Sequence, residues 1–240
     1  MDMKIAGSGV LNGGEYDAIS ISGSAKITGD IRCAEFKCAG AVKANGDLHS
    51  TGDIRVSGSF SCDGTLIADG VLKVAGSCHT EQKIKGKEIR IAGALTTRGN
   101  ITGEIIRSSG SIRTDGDVEG EEIVLTGGAK IGGTLNGEQV SLYPDGDGGI
   151  MQIPTIGGTT IEVQGKGPKS FFQKLFYGKK CNTLRAELIE GDTVKLQDTQ
   201  CDIVRGTNIT VGPNCKIRRI EYAETLTVDA ESQVEEQAKL

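Results

Sequence analysis

GAVKANGDLHSTGDIRVSGSFSCDGTLIADGVLKVAG, residues 40–76, carries a glycine at every sixth position: Gly40, Gly46, Gly52, Gly58, Gly64, Gly70 and Gly76. Outward from this stretch, Gly23, Gly40, Gly58, Gly76, Gly93, Gly110 and Gly127 recur every 17 or 18 residues, and aligning the chain on them brings apolar residues into columns. Four residues before each glycine stand Ile19, Phe36, Ile54, Leu72, Ile89, Ile106 and Ile123; two before stand Ile21, Cys38, Val56, Val74, Ile91, Ser108 and Leu125. Strand alternation puts both columns on one face. Two after come Ala25, Val42, Phe60, Cys78, Leu95, Ile112 and Ala129, and eight after come Ile31, Leu48, Leu66, Ile84, Ile101, Val118 and Leu135. A period this short and glycine-rich cannot hold a helix pair, whereas three strands of about four to five residues with tight turns fit it. The pattern therefore predicts an all-β, triangular parallel β-solenoid whose coils stack at about 4.8 Å. Met3 to Leu142 correspond to roughly eight coils. About five inward side chains per coil, at ~1.5–3 kcal/mol each, oppose backbone ordering only collectively.

Composition fits a narrow core: 36 glycines against four prolines, no tryptophan, five phenylalanines and four tyrosines. Net charge is −5 with lysine and arginine spread among the acids, so no broad basic field favours nucleic acid. The start, Met1 to Ile5, lacks the apolar stretch of a signal peptide, and no run of about 18 apolar residues exists for a membrane span; a cytoplasmic location is expected. The cysteines are seven, an odd number. Cys33, Cys38, Cys62, Cys78, Cys201 and Cys215 sit where neighbouring coils carry small or apolar residues, and read as buried hydrophobes. With no second cysteine pair at matching spacing, and His49 and His79 the only histidines, neither a metal nor a cofactor is expected. Asp30, Asp47, Asp53 and Asp117 follow corner glycines and read as turn caps rather than acid–base groups. The glycine pairs Gly13-Gly14, Gly127-Gly128 and Gly157-Gly158 lack the lysine and helix start of a phosphate loop. His79 shares an outward column with Lys26, Lys43, Ser61, Thr96, Arg113 and Lys130, which reads as a solvated face.

Three segments are expected: a β-helix over 1–143, a linker or insertion over 144–182, and C-terminal β-rich coils over 183–236. Pro144 takes the place of the next coil glycine, Asp145 to Gly149 reads as a flexible exit, and Ile161 and Val163 suggest one more strand. Phe171, Phe172, Leu175, Phe176 and Tyr177, flanked by Lys169, Lys174, Lys179 and Lys180, predict a short helix with one aromatic face. That face either packs on the solenoid or lies in a bilayer interface with the lysines on anionic head groups. From Thr183, Val194/Leu196, Ile209/Val211 and Leu226/Val228 predict about three further coils. These coils either continue the first stack after an insertion or form a smaller solenoid-like half beside it.

The columns, the three-sided period and phrases such as Gly116-Asp117-Val118-Glu119-Gly120 and Ala129-Lys130-Ile131-Gly132-Gly133-Thr134-Leu135 resemble the bactofilins, polymer-forming cytoskeletal proteins of bacteria. The resemblance covers residues 15–142 and implies a right-handed β-helix. It further implies a non-enzymatic scaffold that polymerises end to end without nucleotide into filaments or sheets, serving cell shape, polarity or motility. The implied partners are other copies of the chain, a paralogous bactofilin and the anionic inner face of the cell membrane. From the residues themselves, Ile5, Gly9 and Leu11 already match the coil columns, so the stack begins near the start and its edge is open. Met3, Ile5 and Leu11 are the expected polymer contact. A rival reading is a hexapeptide-repeat acyltransferase, a left-handed β-helix, since Ile209 to Ile217 looks like one of its turns. Its histidine base would have to be His49 or His79, and neither lies in an inserted loop. An ice- or ligand-binding solenoid would want an outward ladder of one residue type, which is absent.

Overall fold

A computed structural model describes residues 1–144, 150–165 and 183–240. The described residues hold 23 β-strands and no helix. They form two compact units, Met1–Glu121 and Glu122–Leu240, each a stack of parallel coils.

In the first unit every turn contributes to three ladders. One runs Ile19, Phe36, Ile54, Leu72, Ile89, Ile106; the second, Ala25, Val42, Phe60, Cys78, Leu95, Ile112; the third, Ile31, Leu48, Leu66, Ile84, Ile101, Val118. These are the columns read from the sequence, and all are buried, Phe36 and Ile54 completely. The Phe36 and Phe60 rings meet edge to face at 5.4 Å within the core.

The period-setting glycines are explained by how closely coils approach at one corner. A Cβ on Gly58, Gly93 or Gly110 would lie 2.6 Å from the carbonyl oxygen of Ala39, Ala75 or Ala92 in the preceding coil, and closer still to that of Gly40, Gly76 or Gly93. The same close approach lets the next residue donate its N–H to that glycine carbonyl, as in Ser59 to Gly40 (2.9 Å), Ser77 to Gly58 (2.9 Å) and Ala94 to Gly76 (2.9 Å). The other two corners are held by acids, one by Asp30 and Asp47 and the other by Asp53. Asp30 Oδ1 accepts the Asp47 N–H (2.8 Å), Asp47 Oδ1 the Thr65 N–H (2.7 Å) and Asp53 Oδ1 the Val71 N–H (2.9 Å). Three of the four expected caps, Asp30, Asp47 and Asp53, thus bond backbone amides, each in the coil 17 or 18 residues on.

In later coils buried hydroxyls serve the corner that Asp30 and Asp47 hold in earlier ones. Thr80 donates to the Gln82 carbonyl (2.6 Å) and meets the Thr97 hydroxyl at 2.9 Å, while Thr97 accepts from Gly99 N–H (3.1 Å). Thr114 donates to the Gly99 carbonyl (2.6 Å) and accepts from Gly116 N–H (3.0 Å). Buried backbone groups at a bend need partners, and these side chains supply them without leaving the core.

In the second unit Val140, Ile161, Val194, Ile209 and Leu226 stack in one ladder through the strands Thr134–Tyr143, Thr155–Val163, Leu184–Leu196, Thr199–Val211 and Lys216–Val228. The coils after Thr183 are thus in register with Thr155–Val163 and, through it, with Thr134–Tyr143. Gly137, Gly158, Gly191 and Gly206 form a glycine column of their own, in which a Cβ on Gly158 or Gly206 would sit 2.5 Å from the carbonyl of the preceding glycine. The exit at 145–149 and the aromatic and lysine helix expected at 169–180 lie outside the described residues.

Candidate assembly interface

A solenoid can act through its two edges, its faces or a pocket. The first strand, Met3–Ile5, pairs with Ile19–Ile21, and the next, Ser8–Ile21, pairs with Ser24–Cys38. On their other side these strands have no ladder partner among the described residues. Met3 and Ile5 are half-buried and continue the apolar columns to the edge, Leu11 is buried against Ile27, and Val10 stands 68% exposed. Met3 and Ile5 share a strand, while Leu11 lies on the next side of the same coil.

Gly7 belongs to the column of Gly23 and Gly40 but differs from them. A Cβ on Gly23 would strike the carbonyls of Ala6 and Gly7; a Cβ on Gly7 would meet nothing within 4 Å. Its backbone is not in the left-handed region either. Among the described residues nothing demands glycine there.

The last strand, Gln233–Lys239, has a different character. Val234 continues the Ile217 column, but Gln237 faces Ile220 in what is elsewhere a buried apolar column, and Glu235 and Glu236 are exposed beside it. Charged and amide residues on a terminal strand oppose pairing with another strand.

No arrangement for chemistry accompanies these edges. His49 pairs through Nε2 with Asp69 (3.1 Å), and His79 with Glu81 (2.9 Å), which also binds Arg98 (2.9 Å). The His79 hydrogen bond, helped by Arg98, holds the Glu81 carboxyl below its ordinary range. Both histidines are partly exposed and hydrogen-bonded to a surface carboxylate. Burial pushes the Cys33, Cys38, Cys62 and Cys215 thiols up to about 11 and Cys201 to about 12, so they stay protonated and are poor nucleophiles at neutral pH. All six described cysteines are free and buried, as expected of small hydrophobes. Among the described residues no three His, Cys, Asp or Glu side chains are placed to share a metal. A shallow groove of about 450 Å³ follows the corner at Ala68, Gly86, Gly103 and Gly120. Coil approach requires glycine at Gly103, where a Cβ would lie 2.7 Å from the Gly86 carbonyl.

Residues 39–136 match the family model for bactofilins, described as polymer-forming cytoskeletal. The stretch similar to that family is less than half of the chain. It begins one residue before Gly40 and contains the regular 17- and 18-residue glycine period. The chain is also similar to the uncharacterized protein YhbF of Bacillus subtilis (strain 168), 38% identical over 91 residues, which is 38% of this chain and 36% of YhbF. A second uncharacterized protein of that strain, YhbE, is 44% identical over 57 residues, 24% of each chain. The matched stretch thus spans well under half of either relative. No solved structure matches. Among the described residues no helix is long and apolar enough to cross a membrane. The stretch similar to a polymer-forming cytoskeletal family thus lies in a chain whose first strands are apolar and whose last strand is charged.

Proposed function

We propose that this protein is a non-enzymatic scaffold that self-assembles end to end, without nucleotide, through the coil edge formed by residues 3–11. Gly7 carries the reading. In the interior of the first unit, column glycines are explained by a coil lying against them; Gly7 has no such coil among the described residues. A coil from a second copy, seated on Met3, Ile5 and the strand around Leu11, gives Gly7 the same reason as Gly23 and continues the apolar columns across the contact. Unpaired backbone groups of the edge strands gain partners at the same time. The similarity of residues 39–136 to bactofilins supports polymer formation as the outcome. Roles in cell shape, polarity or motility, co-assembly with a paralogous bactofilin and residence at the inner membrane face follow as parts of the same proposal. The segment Phe171 to Tyr177 with its flanking lysines is the proposed peripheral anchor.

Gly7→Ala separates assembly from folding. The variant is expected to keep the circular dichroism spectrum and melting temperature of the parent while losing filaments or sheets in negative-stain electron microscopy and the fast-sedimenting fraction in ultracentrifugation. Ile5→Lys, at a half-buried edge position, should do the same. Filaments of unchanged length and number in both variants would remove the edge of residues 3–11 from consideration.

A further inference from the structure

Three residues before each column glycine the first unit carries a straight cationic ladder. Lys4 pairs with Ser20, and the column continues through Lys37, Arg55, Lys73, Arg90 and Arg107 in unbroken register. Six of seven successive coils thus present a basic side chain on one line, spanning about 29 Å at the coil rise of about 4.8 Å. Stacking like charges directly opposite one another is unfavourable. The second unit avoids it: Glu190, Arg205 and Glu221 alternate in sign along one column.

The surroundings of the ladder are asymmetric. On one side Glu35, Asp53 and Glu88 pair with the basic groups, as in Arg55 to Asp53 (2.7 Å) and Arg107 to Glu88 (3.4 Å). These acids lie low, with side chains 34%, 30% and 17% exposed, while Lys37, Arg55, Arg90 and Arg107 stand above them at 45–55%. At Lys73 the acid column holds Val71 instead, and no ion pair involves this lysine among the described residues. On the other side runs an exposed lane of small residues, Ser22, Ala39, Ser57, Ala75, Ala92 and Ser109. Nothing in the lane rises to the height of the basic head groups.

We propose that this ladder and its lane bind a linear polyanion, a chain of phosphate or carboxylate groups laid along the coil axis. A single chain fits better than a plane of anionic lipids, because a plane would also cover the acid column, whereas a chain in the lane touches the cations from the side away from the acids. The lane has no aromatic side chain on which bases could stack, so the recognition is of charge and line rather than of nucleobases.

The full-length protein, titrated with fluorescently labelled long-chain polyphosphate and followed by anisotropy, tests this. Binding should weaken at least tenfold between about 50 and 200 mM salt, as for other multi-contact polyanion complexes. The triple variant Lys37→Gln, Lys73→Gln, Arg107→Gln should lose at least tenfold at about 50 mM salt. The equally charged control Lys26→Gln, Lys43→Gln, Arg113→Gln, in an outward column on another side, should change less than about twofold. Lys73→Glu alone, at an exposed position, gives the same direction should the triple variant fold poorly. No binding, equal loss in ladder and control variants, or ladder-dependent binding to phosphatidylglycerol vesicles without binding to polyphosphate each overturns the proposal.

Discussion

Adding one methyl group at Gly76 tests the account of the coil period. A Cβ there would sit 2.5 Å from the Ser57 carbonyl oxygen and nearer still to that of Gly58, whereas real Cβ contacts essentially never fall below 3.0 Å. Relief requires the two coils to part by roughly 1 Å at this corner, because the obstacle is backbone and cannot swing aside. Three hydrogen bonds bridge the same gap: Ser77 N–H to Gly58 (2.9 Å), and Ala75 and Gly76 N–H to Val56 (2.8 and 3.2 Å). Stretching them by that amount takes all three outside bonding range. At about 1 kcal/mol each, with ~1–2 kcal/mol for disturbed packing around Val56 and Val74, the loss is ~4–5 kcal/mol. Alanine returns ~0.4–1 kcal/mol by restricting the unfolded chain, leaving a net loss of about 3–4 kcal/mol. For a cooperative unit of this size that is a fall in melting temperature of roughly 10–15 °C. The measurement is a thermal melt by circular dichroism at 218 nm, with Gly7→Ala as the matched control that should leave the melt unchanged. Coincident melts for Gly76→Ala and the parent would refute the steric origin of the period, and with it the reason given for Gly7.

Two other positions make opposite demands on stability. Ser108 is buried in the column of Ile91, and its hydroxyl is the one described buried side-chain polar atom without a hydrogen-bond partner. Ser108→Val removes a desolvated hydroxyl and fills apolar space, so it should raise stability by about 1–2 kcal/mol in a urea titration; a loss of that size would mean the hydroxyl is satisfied in solution. Asp198, 5% exposed with φ 51°, accepts from Asn214 Nδ2 at 3.0 Å, and burial raises its carboxyl pKa despite that bond. A raised folded pKa favours the folded state at pH below the unfolded value, near 4, and the contribution is lost as pH rises through the folded value, so at neutral pH the ionised group weakens the fold. Asp198→Asn, which tolerates the left-handed backbone, should therefore raise the melting temperature at pH 7 and lose that advantage near pH 3. Equal effects at both pH values would point away from charge burial.

The sequence carries the fold because each feature of a coil is forced by the coil beneath it, so the same requirement returns every 17 or 18 residues. Gly58, Phe60 and Leu66 are informative only as members of columns, and as members they state corner, side and next side in turn. Where the requirement crosses an insertion the signal fades. Gly137, Gly158, Gly191 and Gly206 are one column, yet their spacings of 21, 33 and 15 residues hide it, and the run after Thr183 looks merely poorer in glycine. The acid caps are recognisable as turn residues at Asp30 and Asp47, but a local reading cannot tell that their partners lie one coil away. The cationic ladder is the clearest omission. Composition shows lysine and arginine mixed with acids, and the mixing is true along the chain. Perpendicular to the chain, along the coil axis, Lys37, Arg55, Lys73, Arg90 and Arg107 are neighbours, and the alignment that reveals Phe36 and Cys38 as core columns places Lys37 between them.

The edge follows the same logic with one term missing. An interior coil such as that of Gly58 has its glycine explained by the coil before it, its carbonyls by the coil after it, and its side chains by both. Among the described residues the coil of Gly7 has only the coil after it, yet Gly7, Met3 and Ile5 keep the residue types that an earlier coil would impose. At Gln237, Glu235 and Glu236 the types change, and the column chemistry stops with the last strand. Apolar columns ending in solvent leave half-buried side chains and unpaired strand groups at a standing cost, which a second copy can offset and a charged terminal strand avoids. The two edges therefore predict different behaviour when isolated. A fragment display of the first coils should gain partners and aggregate through its edge, and replacing Ile5 by lysine, which brings the first strand to the charged character of the last, should abolish that gain while the ladders from Ile19 onward remain intact.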